Sequence, residues 1–439
     1  WKTTETSAYF DSPLLYKNGA FADKKNAEEL KNKCDSVGKL LYLNKEKSKE
    51  KKNAPLLYNL AELQGECSTA LKITPDQTLQ IVQSLYEKKM VTYPRTDARV
   101  LSSAVAKEIS YNINGLKSHP VVGKAASLAD AENIANIGNT KYTNDKMISD
   151  HYAIIPTGQG LSALSRLGEL QTKMYEVIVR RFLSIFYPPA VYQKLNVTVK
   201  AGEERFFTST KVLLEEGFLP VTQYSFTKKK NPEEILSAEE KEEEKEESFD
   251  LKEVLNLLKK GTSVSLTECS VKEGETSPPK RYNSGSMILA MENAGQLIEN
   301  EELREQIKGS GIGTSATRAE ILKKLFSIEY LNLNKKNQII TPTLKGELVY
   351  GIVFCSMPEM ISPNLTASWE KGLTGVADGS ISEGDYMKKL EAFVQQVVQR
   401  AKGGDYRAKL NSFYRSVQPH HAGENKKKRT TRKKKTTKA

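Results

Sequence analysis

Four residues, Thr74-Pro75-Asp76-Gln77, constrain the fold of this chain more than any other stretch of similar length. Threonine before proline, with glutamine three positions on, is the signature of a capped helix start. The threonine hydroxyl and the glutamine amide each satisfy a backbone N–H near the first turn, and proline has no N–H to satisfy. Leu79, Val82, Leu85 and Tyr86 follow at helical spacing. The pattern stops near Met90, where the helix is expected to end. A tyrosine in "VTYPRTD" (91–97) then sits just beyond a firmly placed helix end, held yet exposed.

A phenol titrates near pH ~10, so Tyr93 could attack phosphorus at neutral pH only with help. Arg95 is two residues on, on the same face of an extended segment, and its planar guanidinium can hold two phosphate oxygens. Pro94 between them stiffens the backbone. Taken alone, Tyr-Pro-Arg also reads as an ordinary structural tripeptide.

Two other stretches carry chemistry. In "SDHYAIIPT" (149–157), His151 reads either as a satisfied loop histidine or as a donor to phosphate. In "GSGIGTSATRAEIL" (309–322), glycines lead through Thr314, Ser315 and Thr317 into a helix. Backbone N–H groups and hydroxyls there suit an anion, and Arg318 adds a charge-assisted contact. A plain helix cap fits equally well. The G-K-[ST] ending of a nucleotide-binding loop is absent.

The 439-residue chain is long enough for two to four domains with proper cores. No apolar run approaches the roughly 20 residues of a membrane span, and no signal peptide opens it. Cys34, Cys67, Cys269 and Cys355 form no C-x-x-C pair, which argues against a zinc ribbon and a disulfide framework and for a reducing cytoplasm. Of the net charge of +12, nine positive charges lie in "KKKRTTRKKKTTK" (426–438), leaving +3 for everything else. That tail is expected to be a disordered arm suited to a phosphate backbone. The opposite bias, net −8, marks 231–250 as a solvated insertion.

Residues 1–54 read as short strands followed by a charged surface loop, "NKEKSKEKKN" (44–53), and 193–225 as alternating strands. The C-terminal third reads as mostly helical. Within it, 309–343 runs glycine loop, helix, strand, turn, strand, the outline of a helix with a β-wing. A last amphipathic helix covers "GDYMKKLEAFVQQVVQRAK" (384–402), and no repeat of fixed period occurs.

Taken together, "VTYPRTD", "SDHYAIIPT" and "GIGTSATRAEIL" resemble type IA DNA topoisomerases, and among them the bacterial topoisomerase III branch. "APLLYNLAELQ" (54–64), "PPKRYNSGSMILAMENAG" (278–295) and "LTASWEKGL" (365–373) are similar to further segments of that family. The resemblance runs from about residue 50 to 400. It implies that Tyr93 is the nucleophile that breaks one DNA strand and keeps a 5′-phosphotyrosine, and that Arg95 positions the scissile phosphate. It places His151 near the DNA path, and Gln64, Thr314, Thr317 and Arg318 along the single-strand groove. It implies an α+β multidomain toroid with three parts. Residues 1–54 and 192–280 would be a β-rich gate arch, 55–191 a helical domain carrying the tyrosine, and 281–402 a helical and winged domain binding single-stranded DNA. Residues 403–439 complete the chain as the disordered basic tail.

The implied activity is ATP-independent cleavage, strand passage and religation, relaxing negative supercoils and decatenating. Its partners are single-stranded and negatively supercoiled DNA, with no membrane, for a cytoplasmic monomer. Family members hold Mg²⁺ in a Toprim domain through an acidic D-x-D-type cluster, and no D-x-D occurs here. The expectation is therefore a chain without that domain and without a metal site of its own. An opening that reads like mid-strand, with no methionine, fits that expectation. Asn283-Ser284 stands where many relatives have Thr-Glu, and no role attaches to the difference. The alternative, from a different class, is a non-catalytic single-stranded DNA-binding module.

Overall fold

In the computed structural model, residues 15–16, 23–227, 260–266, 268–271, 273, 278–297, 301 and 311–421 are described. The acidic insertion 231–250, the basic run 426–438 and Gly309-Ser310 of the glycine loop lie outside the described residues. Contacts divide the chain into two compact units, where the expected partition has three parts. The first unit is 1–56, 104–143 and 179–278; the second is 57–103, 144–178 and 279–439. The segment expected as one tyrosine-bearing domain, 55–191, is thus shared between them. The fold is α+β, as expected from the sequence.

The first unit is built on a five-stranded antiparallel sheet. Its strands are β1 (Leu15–Tyr16), β2 (Lys39–Lys52), β3 (Ala190–Ala201), β4 (Glu204–Glu215) and β5 (Ser263–Ser265), in the order β1-β4-β3-β2-β5. Along β3, Leu195, Val197, Val199 and Ala201 alternate inward and pack with Leu40, Tyr42, Cys34 and Phe206. Two expectations for 1–54 are corrected here. The charged segment read as a surface loop belongs to β2, which pairs with β3 from Leu41–Lys200 to Lys52–Ala190. Its side chains are mostly exposed beyond Lys45, so no alternation is written into the sequence; the neighbouring strand's backbone supplies the ladder. Residues 24–37 form a helix, not a strand. Asp23 caps it by accepting from the Lys25 N–H, and Gly38 at φ 61° closes it with its N–H on the Cys34 carbonyl. Burial pushes the Cys34 thiol up to about 12, and all four cysteines are free thiols.

The second unit is mainly helical. Its helices Leu60–Ala70 and Ser284–Glu292 meet through two glycines, so closely that a Cβ on Gly285 would lie 2.7 Å from the Gly65 Cα and 2.8 Å from the Ser68 Cβ. Ala61, Ile288, Met291 and Leu322 form the core between these helices and the helix Arg318–Ser327. The last of these runs into a two-stranded wing, β6 (Leu331–Leu333) and β7 (Ile340–Pro342), as the 309–343 pattern predicts. The wing turn is fastened to the helix pair by buried polar groups. Ser68 and Ser284 share a hydrogen bond of 3.0 Å, Ser284 Oγ bonds Gln338 Oε1 at 3.0 Å, and Gln338 Nε2 donates to the Lys72 carbonyl at 3.1 Å. Overpacking this contact should be costly: Gly285→Ala is expected to destabilise the unit by about 1–3 kcal/mol. A urea melt showing the variant as stable as the parent would contradict the close-contact account.

The expected tail also needs correction. Residues 407–417 are helical, and Phe413 packs on Gly351, where a Cβ would meet its ring at 2.5 Å. The segment's basic residues, Arg407, Lys409 and Arg415, are interspersed with Leu410, Phe413 and Tyr414, which form an apolar stripe at helical spacing.

Candidate functional site at Tyr93

The helix Pro75–Glu87 carries the expected capping box: Thr74 Oγ1 accepts from the Gln77 N–H at 3.3 Å, and Gln77 Oε1 accepts from the Thr74 N–H at 3.0 Å. It ends three residues earlier than the apolar pattern suggests, because Lys88–Met90 form the closing turn. The Lys89 N–H donates to the Tyr86 carbonyl at 2.7 Å and the Met90 N–H to the Leu85 carbonyl at 3.0 Å. Met90 and Leu85, at the two positions where this motif commonly has an apolar pair, are both fully buried. The left-handed position falls on Lys89, at φ 58°, rather than on glycine. A side chain there costs about 1–2 kcal/mol.

Beyond the turn, the tyrosine segment is laced to the histidine motif, which lies about sixty residues away in sequence. Thr92 N–H donates to the Ile155 carbonyl at 3.0 Å, Thr92 Oγ1 donates to the Ala153 carbonyl at 2.9 Å, and it accepts from the Ile155 N–H at 2.9 Å. Val91 bridges Pro156, and Thr96 Oγ1 donates to the His151 carbonyl at 2.7 Å. These bonds bring the Tyr93 and His151 rings to 4.3 Å between centroids, tilted by 42°. Tyr86, in the last turn of the Pro75–Glu87 helix, meets Tyr93 edge-on at 5.6 Å. Tyr93 is half-buried at a cleft of about 460 Å³, lined also by Tyr86, Lys89, Thr92, His151 and Tyr152. Burial raises the Tyr152 phenol above its ordinary value. Arg95 is exposed and has no hydrogen-bond or ion-pair partner among the described residues.

The other expected groove residues are distributed differently. Gln64 is buried and its amide donates to the Pro75 carbonyl at 3.0 Å, bracing the start of the tyrosine's helix. Arg318 is 2% exposed. Its Nε donates to the Ile312 carbonyl at 3.2 Å, and its Nη1 lies 3.4 Å from Asp97 Oδ1 and 3.6 Å from Glu292 Oε1. Neither side chain is presented to solvent; Arg318 instead ties the end of the Tyr-Pro-Arg-Thr-Asp segment to the helix Ser284–Glu292. Asn59 completes the tie by donating to the Asp97 carbonyl at 3.2 Å and to Glu292 Oε1 at 2.8 Å. Burial raises the Glu292 carboxyl, and the Arg318 charge opposes that rise. Thr314 and Thr317 are exposed and bonded to each other: the Thr314 N–H donates to Thr317 Oγ1 at 2.9 Å. One of the amides expected to face an anion is thus already used.

Sequence reasoning did not assign Tyr86, Tyr152 or Lys89 to the site. Tyr86 was legible only as part of an apolar helix face. The Mg²⁺ implied by the resemblance finds no home in what is described: among the described residues there is no group of three or more His, Cys, Asp or Glu that could hold a metal ion.

The sequence profile of a family described as DNA topoisomerase matches residues 3–388. DNA topoisomerase 3 of Bacillus licheniformis is 33% identical over 371 residues, 84% of this chain and 48% of that protein. DNA topoisomerase 3 of Bacillus subtilis is 33% identical over 361 residues, 81% of this chain and 46% of that protein. The chain spans about half the length of the curated relatives it matches. Full-length topoisomerase I from Thermotoga maritima shares the fold, with a TM-score of 0.57 at 23% identity over 88% of this chain and 56% of that one. Profile and relatives show the family and the fold agrees with it: the chain belongs to the type IA DNA topoisomerase family.

Proposed function

We propose that this chain carries the tyrosine half of an ATP-independent topoisomerase reaction, with Tyr93 as the nucleophile. The observation that carries this reading is the placement of Tyr93: half-buried at an open cleft, with its ring set between His151 and Tyr86 and an uncommitted guanidinium, Arg95, two residues away. The phenol gives up its proton and its oxygen attacks phosphorus. The bond from phosphorus to the 3′-oxygen breaks, and that oxygen takes up a proton to leave as a free 3′-OH. One phosphoester replaces another, so the 3′-OH can attack in reverse and reseal the strand with no external energy source. Arg95 holds the non-bridging oxygens as charge builds on them. His151 donates to a phosphate oxygen and its ring fixes that of Tyr93.

On this reading the substrate is single-stranded or negatively supercoiled DNA. The β-sheet unit serves as gate arch, the winged segment grips the single strand, and the enzyme relaxes and decatenates as a cytoplasmic monomer. Among the described residues no helix is long and apolar enough to cross a membrane. The expected Mg²⁺ and Toprim domain would act from outside the residues described here. The test is an adduct assay with a single-stranded oligonucleotide labelled at its 3′ end. The chain is incubated with and without a separately made Toprim domain and Mg²⁺, then denatured. Label on the protein when the Toprim domain is added supports the reading. Retained binding with no adduct under any condition favours the non-catalytic single-strand module.

A further inference from the structure

We propose that Lys89 is a phosphate-binding residue of the tyrosine cleft, holding the strand's backbone beside the bond that Tyr93 cuts. The inference rests on the reading of the cleft given above. Its starting point is a conformation: Lys89 occupies the left-handed position of the turn closing the Pro75–Glu87 helix, at φ 58°, where glycine would sit without strain. A residue persists in such a conformation only when its surroundings over-determine it, and such positions cluster where a site needs a side chain aimed.

The surroundings here do over-determine it. Thr157 Oγ1 donates to the Lys89 carbonyl at 2.6 Å, and the Thr157 N–H donates to the Met90 carbonyl at 3.0 Å. Gly160 presses on the turn from the same loop, with space for a Cβ only 2.8 Å from the Lys88 carbonyl oxygen. The turn is therefore clamped by the strand-like segment that also carries His151.

Its side chain meets the conditions for a ligand contact. Lys89 is exposed, lines the cleft with Tyr86, Tyr93 and His151, and its ammonium has no ion-pair partner among the described residues. Lys89 lies four residues before Tyr93 and Arg95 two residues after it, so a cation stands on each side of the nucleophile in sequence. The arrangement of aromatic rings with flanking cations is the chemistry that binds single strands: the rings accept bases and the ammonium meets the backbone. A flexible point charge suits a phosphate that shifts as the strand is cut and resealed.

The experiment measures binding of a fluorescent single-stranded oligonucleotide to this chain across a salt series, for the parent and for Lys89→Gly, Lys89→Gln and Lys89→Arg. Loss of one phosphate contact should flatten the slope of log K against log salt by about 0.7 and weaken binding several-fold at low salt. That result is expected for the glycine and glutamine variants, whereas the arginine variant keeps the parent slope. The glycine variant should also melt no lower than the parent, since it relieves the left-handed strain, which separates lost contact from lost fold. Parent-like slopes in both neutral variants overturn the inference and leave the assignment of Tyr93 intact. A parent chain that binds no single-stranded DNA overturns both.

Discussion

Replacing Tyr93 with phenylalanine is expected to abolish the covalent DNA adduct while leaving affinity for single-stranded DNA within a few-fold of the parent. The substitution removes one oxygen and keeps the ring. The contacts of that ring with His151 at 4.3 Å and Tyr86 at 5.6 Å therefore survive, as do the backbone bonds from Thr92 and Thr96 that hold the segment. What is lost is the oxygen proposed to form the ester. The comparison that gives the experiment its force lies in the same cleft, because Tyr86 and Tyr152 also line it. Tyr86→Phe and Tyr152→Phe should retain the adduct. If the adduct persists in Tyr93→Phe and disappears in either of the others, the nucleophile has been misassigned. The measurement is gel retention of 3′ label on denatured protein, alongside anisotropy titrations at fixed salt.

The second large effect concerns stability. Arg318→Ala should destabilise the second unit by about 3 kcal/mol, the scale for removing one partner from a buried ion pair. The value belongs near the lower end of that range because Asp97 is half-exposed and the two separations are 3.4 and 3.6 Å. Most of the loss comes from Glu292, which burial already pushes above its ordinary value of 4.5 and which would lose the opposing Arg318 charge. The sign of the pH dependence follows. A carboxyl whose folded-state pKa is raised supports the fold fully while protonated, and that support is lost as pH rises through the folded value. The defect of Arg318→Ala is therefore largest near neutral pH and shrinks on acidification, as the raised Glu292 carboxyl takes up its proton and no longer needs the Arg318 charge. Urea melts at about pH 7 and about pH 5 read the difference directly. A defect that grows on acidification would mean that Arg318 acts through something other than Glu292.

The two predictions also show what a sequence can and cannot reveal. The start of the tyrosine's helix was legible because the Thr74–Gln77 box is a local hydrogen-bond pattern, complete within four residues. Its end was read late because Lys88 and Lys89 look like ordinary helix formers, and only the bond from Met90 to Leu85 reveals the turn. Tyr93, Arg95 and His151 were legible as motifs. Their meeting was not, since it depends on bonds from Thr92 and Thr96 to residues 151–155. Gln64 and Arg318 were placed along the groove by the family resemblance, which locates a segment but not the direction in which its side chains point. Their burial depends on partners, the Pro75 carbonyl and the Asp97–Glu292 pair, that no local pattern announces. The charged half of β2 makes the same point for the fold: with side chains exposed on both faces, strand identity comes from the β3 ladder and leaves no mark on the sequence.

The most direct test of the central claim is to map the covalent link itself. The adduct formed on a single-stranded oligonucleotide is digested with protease and nuclease, and the modified peptide is identified by mass spectrometry. The account predicts a nucleotide joined through its 5′-phosphate to the peptide containing Tyr93, with a free 3′-OH on the released upstream fragment. A nucleotide on any other of the 19 tyrosines, or a link through a 3′-phosphate, would contradict it.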